Sequence, residues 1–260
     1  MKHKETDMVA ERIQLQSMMN TRDLGSLVNK NGIKVKSRKL IRSGELSRSD
    51  MADLKTLYED YDVRQVIDLR GEDEMWQRPD KMYRDMVHIP LTAMPKPASG
   101  VSRDRKFEEE MKELAKTAGP QGARLRMKGF YRLMVSNEFC LQRYNRFIEL
   151  LLGNREHATL WHCAVGKDRA GIGAVNAELL LDIDRETIIE DYLHTNECYF
   201  PSLEPQETVF DYYNFAFREY IDTSFETIDE VFGSVENYIR EGLRISEERQ
   251  EEFQRAFLEE

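Results

Sequence analysis

The sequence predicts an α/β domain: a short, mostly parallel sheet flanked by helices. Three observations carry that expectation. Ala158-Thr159-Leu160-Trp161 is short and largely apolar, as a strand covered on both faces must be. Ile172 to Leu181 is mostly apolar, broken only by Asn176 and Glu178, which suits a helix packed against such a sheet. Val63 to Leu69 is a β-branched run ending in Asp68-Leu69-Arg70-Gly71, and Met86 to Leu91 supplies a further strand.

Taken in order, residues 1–19 are polar with scattered apolar side chains and read as a helix or an arm. Arg22-Asp23 enters a turn, where the two are expected either to pair or to wall a pocket. Lys30 to Lys36 contains Asn31-Gly32 beside apolar/cationic alternation, the mark of a hairpin. Ser49-Asp50 caps a helix with Met51, Leu54, Leu57 and Tyr58 at helical spacing. Residues 95–129 change texture: Pro95, Pro97 and Gly100 precede the charged stretch from Arg103 to Lys116, then Gly119-Pro120-Gln121-Gly122. An insertion of this kind is read as a helical lid or recognition flap, with Arg103, Arg105, Lys106, Arg124, Arg126 and Lys128 as possible anion contacts. Phe130 to Leu152 reads as one long helix, Asp184 starts another, and residues 205–260 are helical and charged, with Phe253 and Phe257 docking the last helix. No repeat or linker divides the chain, so 1–260 is expected to form one domain.

Between the strand at 158–161 and the helix that follows lies His162-Cys163-Ala164-Val165-Gly166-Lys167-Asp168-Arg169-Ala170-Gly171. A tight loop feeding a helix N-terminus gathers unpaired N–H groups and the positive end of the helix dipole, which together favour an anion. Gly166 can take a positive φ and let successive amides turn inward as a nest. Cys163, at the start of the nest, faces the same donors, which stabilise a nucleophilic thiolate. Arg169 can present a planar fork to two phosphate oxygens. Lys167 is expected to add a cation at the rim, and Asp168, the only acid inside the loop, is the nearest group to protonate a leaving oxygen and later activate water. The substrate-binding set is Ala164, Val165, Gly166 and Lys167, joined by Asp68 and Arg70, because ligands of parallel sheets gather at the carboxyl ends of strands. Asp68 and Asp104 are alternative acids. The spacing alone proves little, since Cys140 and Arg146 share it on a stretch without glycine whose apolar residues recur at helical intervals.

This loop resembles that of the cysteine-based protein tyrosine phosphatases, in particular a bacterial family with His-Cys-x-x-Gly-Lys-Asp-Arg-Thr-Gly. The likeness extends to Asn20-Thr21-Arg22-Asp23-Leu24-Gly25, to Ile41-Arg42-Ser43-Gly44-Glu45-Leu46-Ser47, to Val66-Ile67-Asp68-Leu69-Arg70, to Glu190-Asp191-Tyr192-Leu193 and to Gly233 to Ile239. It implies a cysteine phosphatase fold and hydrolysis of phosphotyrosine, often with phosphoserine/threonine or phosphoinositides, leaving inorganic phosphate. Thr21 and Ser26 stand where the family has an aromatic residue and a second glycine. Ala170 replaces a Thr or Ser whose hydroxyl is implicated in helping the thiolate leave, which implies slow dephosphorylation of Cys163. A phosphate-binding module with decayed catalysis and a rhodanese-type sulfur transferase are the rivals; retention of Cys163, Asp168 and Arg169 disfavours the first and the Lys-Asp-Arg tail the second.

The bulk properties narrow the field. A net charge of −10 argues against a generalised nucleic-acid binder, so an anionic substrate must be drawn by a local basic pocket. Three cysteines without paired spacing suit a reducing cytosol, and no apolar run has the length of a signal peptide core or a membrane span. No Cys-x-x-Cys or His-x-x-x-His spacing suggests a metal, so neither metal nor cofactor is expected.

Overall fold

The computed structural model describes residues 9–95, 113 and 117–260, so most of the expected lid, with Arg103, Asp104, Arg105 and Lys106, lies outside the described residues. Among the described residues, six strands form one sheet: β1 (Glu11–Arg12), β2 (Arg22–Asp23), β3 (Leu40–Ser43), β4 (Val63–Asp68), β5 (Val87–Pro90) and β6 (Ala158–His162), in the order β1-β2-β3-β6-β4-β5. The last four run parallel and the first three antiparallel, giving the mostly parallel sheet that the sequence implies. Every residue of β6 is buried, as a central strand with helices on both faces requires. Alternation across the pleat sends neighbouring side chains to opposite cores. Leu160 packs with Ile41, Val63 and Val66 beneath α1 (Met51–Glu59), while Trp161 packs on the other face with Phe147, Tyr144 and Ile172.

Register places the site. Ser43, His162 and Asp68 lie side by side at the carboxyl ends of β3, β6 and β4. From this edge the chain leaves into Gly44-Glu45, into the Cys163 loop, and into Leu69-Arg70-Gly71. The helix after the loop, α5 (Arg169–Leu180), is buried at all twelve positions.

The expected long helix is two. α3 (Gly119–Ser136) and α4 (Glu138–Gly153) are broken at Asn137, whose extended backbone ends one helix while its Oδ1 accepts from Phe139 N and caps the next. The apolar pattern runs through this break because both helices face the same core. Ala123 and Met127 on the first half of α3 are buried, so 119–129 is core helix and not flap. Arg124 and Lys128, expected as anion contacts, reach Glu219 instead. That acid lies on α9 (Arg218–Phe232), which follows α6 (Arg185–Leu193), α7 (Thr195–Tyr199) and α8 (Val209–Asn214). The last helix, α10 (Glu247–Phe257), buries Phe253 and Phe257, and Leu258 pairs with Val35 beside the turn at Asn31-Gly32. None of the described helices is long and apolar enough to cross a membrane.

Candidate active site

The loop between β6 and α5 is held from behind by its carbonyls. Glu45 N donates to Ala164 O at 3.2 Å, Asn20 Nδ2 to Val165 O at 3.1 Å, and Arg42 Nη2 to Gly166 O at 2.9 Å. A trans peptide points its C=O and the following N–H in opposite directions. Fixing three successive carbonyls on the outside therefore aims the N–H groups of Val165, Gly166 and Lys167 at the inside. Gly166 has φ +72°, and a Cβ there would lie 2.6 Å from Ser43 O, so the turn admits glycine alone.

The clamp itself is braced. Arg42 Nη1 and Arg22 Nη1 both donate to Asp191, at 2.8 and 3.1 Å, and Arg22 Nη2 donates to Thr195 Oγ1 at 3.1 Å, all buried. Burial would raise the Asp191 pKa, but the two guanidinium groups hold it below the ordinary carboxylate range. Glu178 beside it is pushed well above that range by burial and by the charge of Asp191. Arg22 and Asp23 thus pair with different partners and not with each other: Asp23 accepts from Gly25 N and Arg38 N. The altered residues in this neighbourhood are accommodated, since Thr21 Oγ1 meets Ser43 Oγ at 2.7 Å and Ser26 Oγ donates to Val9 O at 2.7 Å.

Arg169 projects from the first turn of α5. Its Nη1 donates to Glu74 Oε2 at 2.6 Å and its Nη2 to Glu74 Oε1 at 3.3 Å, a two-pronged pair that fixes the plane of the fork. Burial opposes the Arg169 charge, yet Glu74 and Cys163 outweigh it, and the guanidinium is held charged. Glu74 belongs to α2 (Glu72–Gln77), where the same Oε2 accepts Gly71 N at 2.9 Å and closes that helix start. Both Cys163, 1% exposed, and Arg169, 2% exposed, are buried.

Other predicted residues sit elsewhere than expected. Lys167 is not at a rim. It is buried, donating to Tyr213 O at 2.9 Å and Phe215 O at 3.0 Å, because a desolvated ammonium needs carbonyls around it. Asp68 and Arg70 are buried behind the loop, paired at 2.7 Å, with Arg70 Nη1 reaching Glu45, whose backbone N holds Ala164. Burial would raise the Asp68 pKa, but His162, His88 and Arg70 pull it far below the usual range, so it stays ionised and makes a poor proton donor. His162 is buried with Nε2 2.8 Å from Asp80 Oδ2; burial would lower its pKa, yet Asp68 and Asp80 raise it. Asp68, Asp80 and His88 bring three donor atoms together, but Arg70 Nη2 lies 2.7 and 2.9 Å from the two carboxylates and fills the place of a cation. Asp168 is buried and accepts from Tyr131 Oη at 2.7 Å.

The tyrosine phosphatase family matches this chain over residues 13–259. The chain belongs to that family. Its relatives include the triple specificity protein phosphatase PtpB of Mycobacterium tuberculosis, 27% identical over 237 residues, which cover 78% of this chain and 85% of that protein. A Cupriavidus necator protein, H16_A0669, provisionally named a tyrosine-protein phosphatase, is 25% identical over 241 residues, 88% of this chain and 83% of its own. This tyrosine phosphatase is a phosphoric monoester hydrolase of mixed α/β fold. Sequence reasoning found the strand, loop and helix of the site. It missed Glu74, whose only local signal is a helix-start Gly-x-x-Glu, and it assigned no role to Asn20 or Arg42.

Proposed function

We propose that the enzyme cleaves phosphate monoesters in two steps through a phosphocysteine. Cys163 Sγ attacks phosphorus while Arg169 and the loop amides from Ala164 to Asp168 hold the equatorial oxygens. The P–O ester bond breaks as Asp168 gives its proton to the leaving oxygen. Asp168 then takes a proton from water, whose oxygen attacks phosphorus; the S–P bond breaks and inorganic phosphate leaves. The observation that carries this reading is the outward commitment of three successive loop carbonyls beside a fork held flat by Glu74.

Phosphotyrosyl protein is the preferred substrate, with phosphoserine/threonine as a second activity. The name of the Mycobacterium relative supports breadth of substrate. A phosphoinositide headgroup gains nothing from Lys167, whose ammonium is spent on two carbonyls. Rates on a phosphotyrosyl peptide, a phosphoseryl peptide and a soluble phosphoinositide, each repeated with C163S, test the order. A phosphoinositide rate above the phosphotyrosyl rate reverses it.

A further inference from the structure

Asp168 occupies the residue before α5, where an aspartate ordinarily turns its carboxylate onto the first-turn N–H groups. It makes no such hydrogen bond. Its Oδ1 instead accepts from Tyr131 Oη at 2.7 Å, and Tyr131 Oη lies 2.6 Å from Tyr192 Oη. A phenol has one proton to give. Since Tyr131 gives its proton to Asp168, Tyr192 must donate to Tyr131, which sets the chain as Tyr192 to Tyr131 to Asp168. Lys167 Nζ approaches the same Oδ1 at 3.4 Å.

We propose that Tyr131, backed by Tyr192, is the positioning residue for the Asp168 carboxyl: it occupies Oδ1 and leaves Oδ2 to exchange the proton with the reacting ester. The inference rests on the reading of Asp168 as the acid and base. Diverting the carboxyl from its helix also leaves the first-turn N–H groups to the phosphate. The groups facing Asp168 are Lys167 and Arg169 from the loop and α5, Tyr131 from α3, Tyr192 from α6 and Tyr220 from α9. Tyr220 stacks on Tyr131 with ring centroids 5.4 Å apart and gives its own hydroxyl to Tyr212 O at 2.9 Å, so it fixes the ring and does not compete for the carboxyl. Burial, then Asp168 itself, pushes the Tyr131 phenol well above its ordinary pKa, so it remains a donor throughout the working range.

The test sets Y131F and Y192F beside D168N on two substrates. p-Nitrophenyl phosphate has a leaving group that scarcely needs a proton; a phosphotyrosyl peptide has one that does. In kcat/KM, which reports formation of the phosphoenzyme whichever half-reaction limits turnover, D168N should cost about 10²–10⁴-fold on the peptide, less on p-nitrophenyl phosphate, and remove the high-pH limb of the profile. Y131F should lower kcat/KM on the peptide about tenfold, spare kcat/KM on p-nitrophenyl phosphate, and move that limb upward, because a carboxylate that loses a donor holds its proton longer. Y192F should act in the same direction by less. A folded Y131F that loses kcat/KM equally on both substrates with an unmoved limb overturns the proposal. Should Y131F not fold, Y192F decides it by the same two readouts. A limb that survives D168N overturns the acid assignment itself, and the two failures are thereby distinguished.

Discussion

The chain contains two stretches with cysteine and arginine six positions apart, and they came to opposite ends. Cys140 and Arg146 lie on α4, where six residues at about 100° each put the two side chains roughly 240° apart around the axis. Cys140 is accordingly buried in the core and Arg146 exposed. Burial pushes the Cys140 thiol up to about 12, with no cation to offset it. Cys163 and Arg169 lie across a strand, a loop and a helix start, so the chain doubles back and the guanidinium charge is felt at the sulfur. Spacing is the same; what differs is whether the intervening backbone is helical. A helix consumes its own N–H groups, whereas a loop with its carbonyls tied back has them to offer.

The largest effect that sharpens this contrast is at the two thiols. C163S should lose p-nitrophenyl phosphate hydrolysis by about four orders of magnitude or more, the scale of losing a nucleophile. C140A should keep its rate within about twofold and cost about 1 kcal/mol of stability in a denaturant melt, as a small buried truncation does. A C140A that is inactive yet folded would break the comparison. Next in size is E74Q, which keeps the shape of the carboxylate but not its charge. We expect kcat/KM to fall about tenfold with the melting temperature lowered slightly, because Arg169 loses the partner that orients its fork.

The smallest effect is a pH dependence behind the loop. His162 has its folded pKa raised, so its contribution to stability is fully present below the ordinary value of about 6.5 and is lost as pH rises through the folded value. D80N removes one of the two acids responsible. The gap in melting temperature between wild type and D80N should therefore narrow as pH rises from 6 to 9. It should not close, since Asp80 also accepts from Leu46 N and pairs with Arg70. A gap that widens with pH contradicts the assignment.

Much of this was legible because it is local. The strand at 158–162, the glycine turn and the buried helix after it are encoded within some two dozen consecutive residues, and the parallel strands announce themselves as apolar runs. Pairings across the chain left little trace. Glu74 and Arg169 are 95 positions apart, and Arg42 and Gly166 are 124 apart, so nothing near either predicts the other. Lys167 misled for a physical reason: lysine is almost never fully buried without partners, and its partners are two carbonyls on a segment beyond Thr208. The break at Asn137 was hidden because a side-chain cap lets two helices share one apolar face.

The central claim is that Cys163 carries the phosphoryl group between the two half-reactions. Rapid acid quench of the enzyme turning over a phosphotyrosyl peptide, followed by mass spectrometry of its cysteine-containing fragments, tests it most directly. With Ala170 in place of a hydroxyl residue, breakdown is the slow half, so a phosphoryl adduct should accumulate on the Cys163 fragment, with a burst of released tyrosyl peptide. Steady phosphate release with no burst and no adduct at Cys163, or an adduct that persists in C163S, would contradict it.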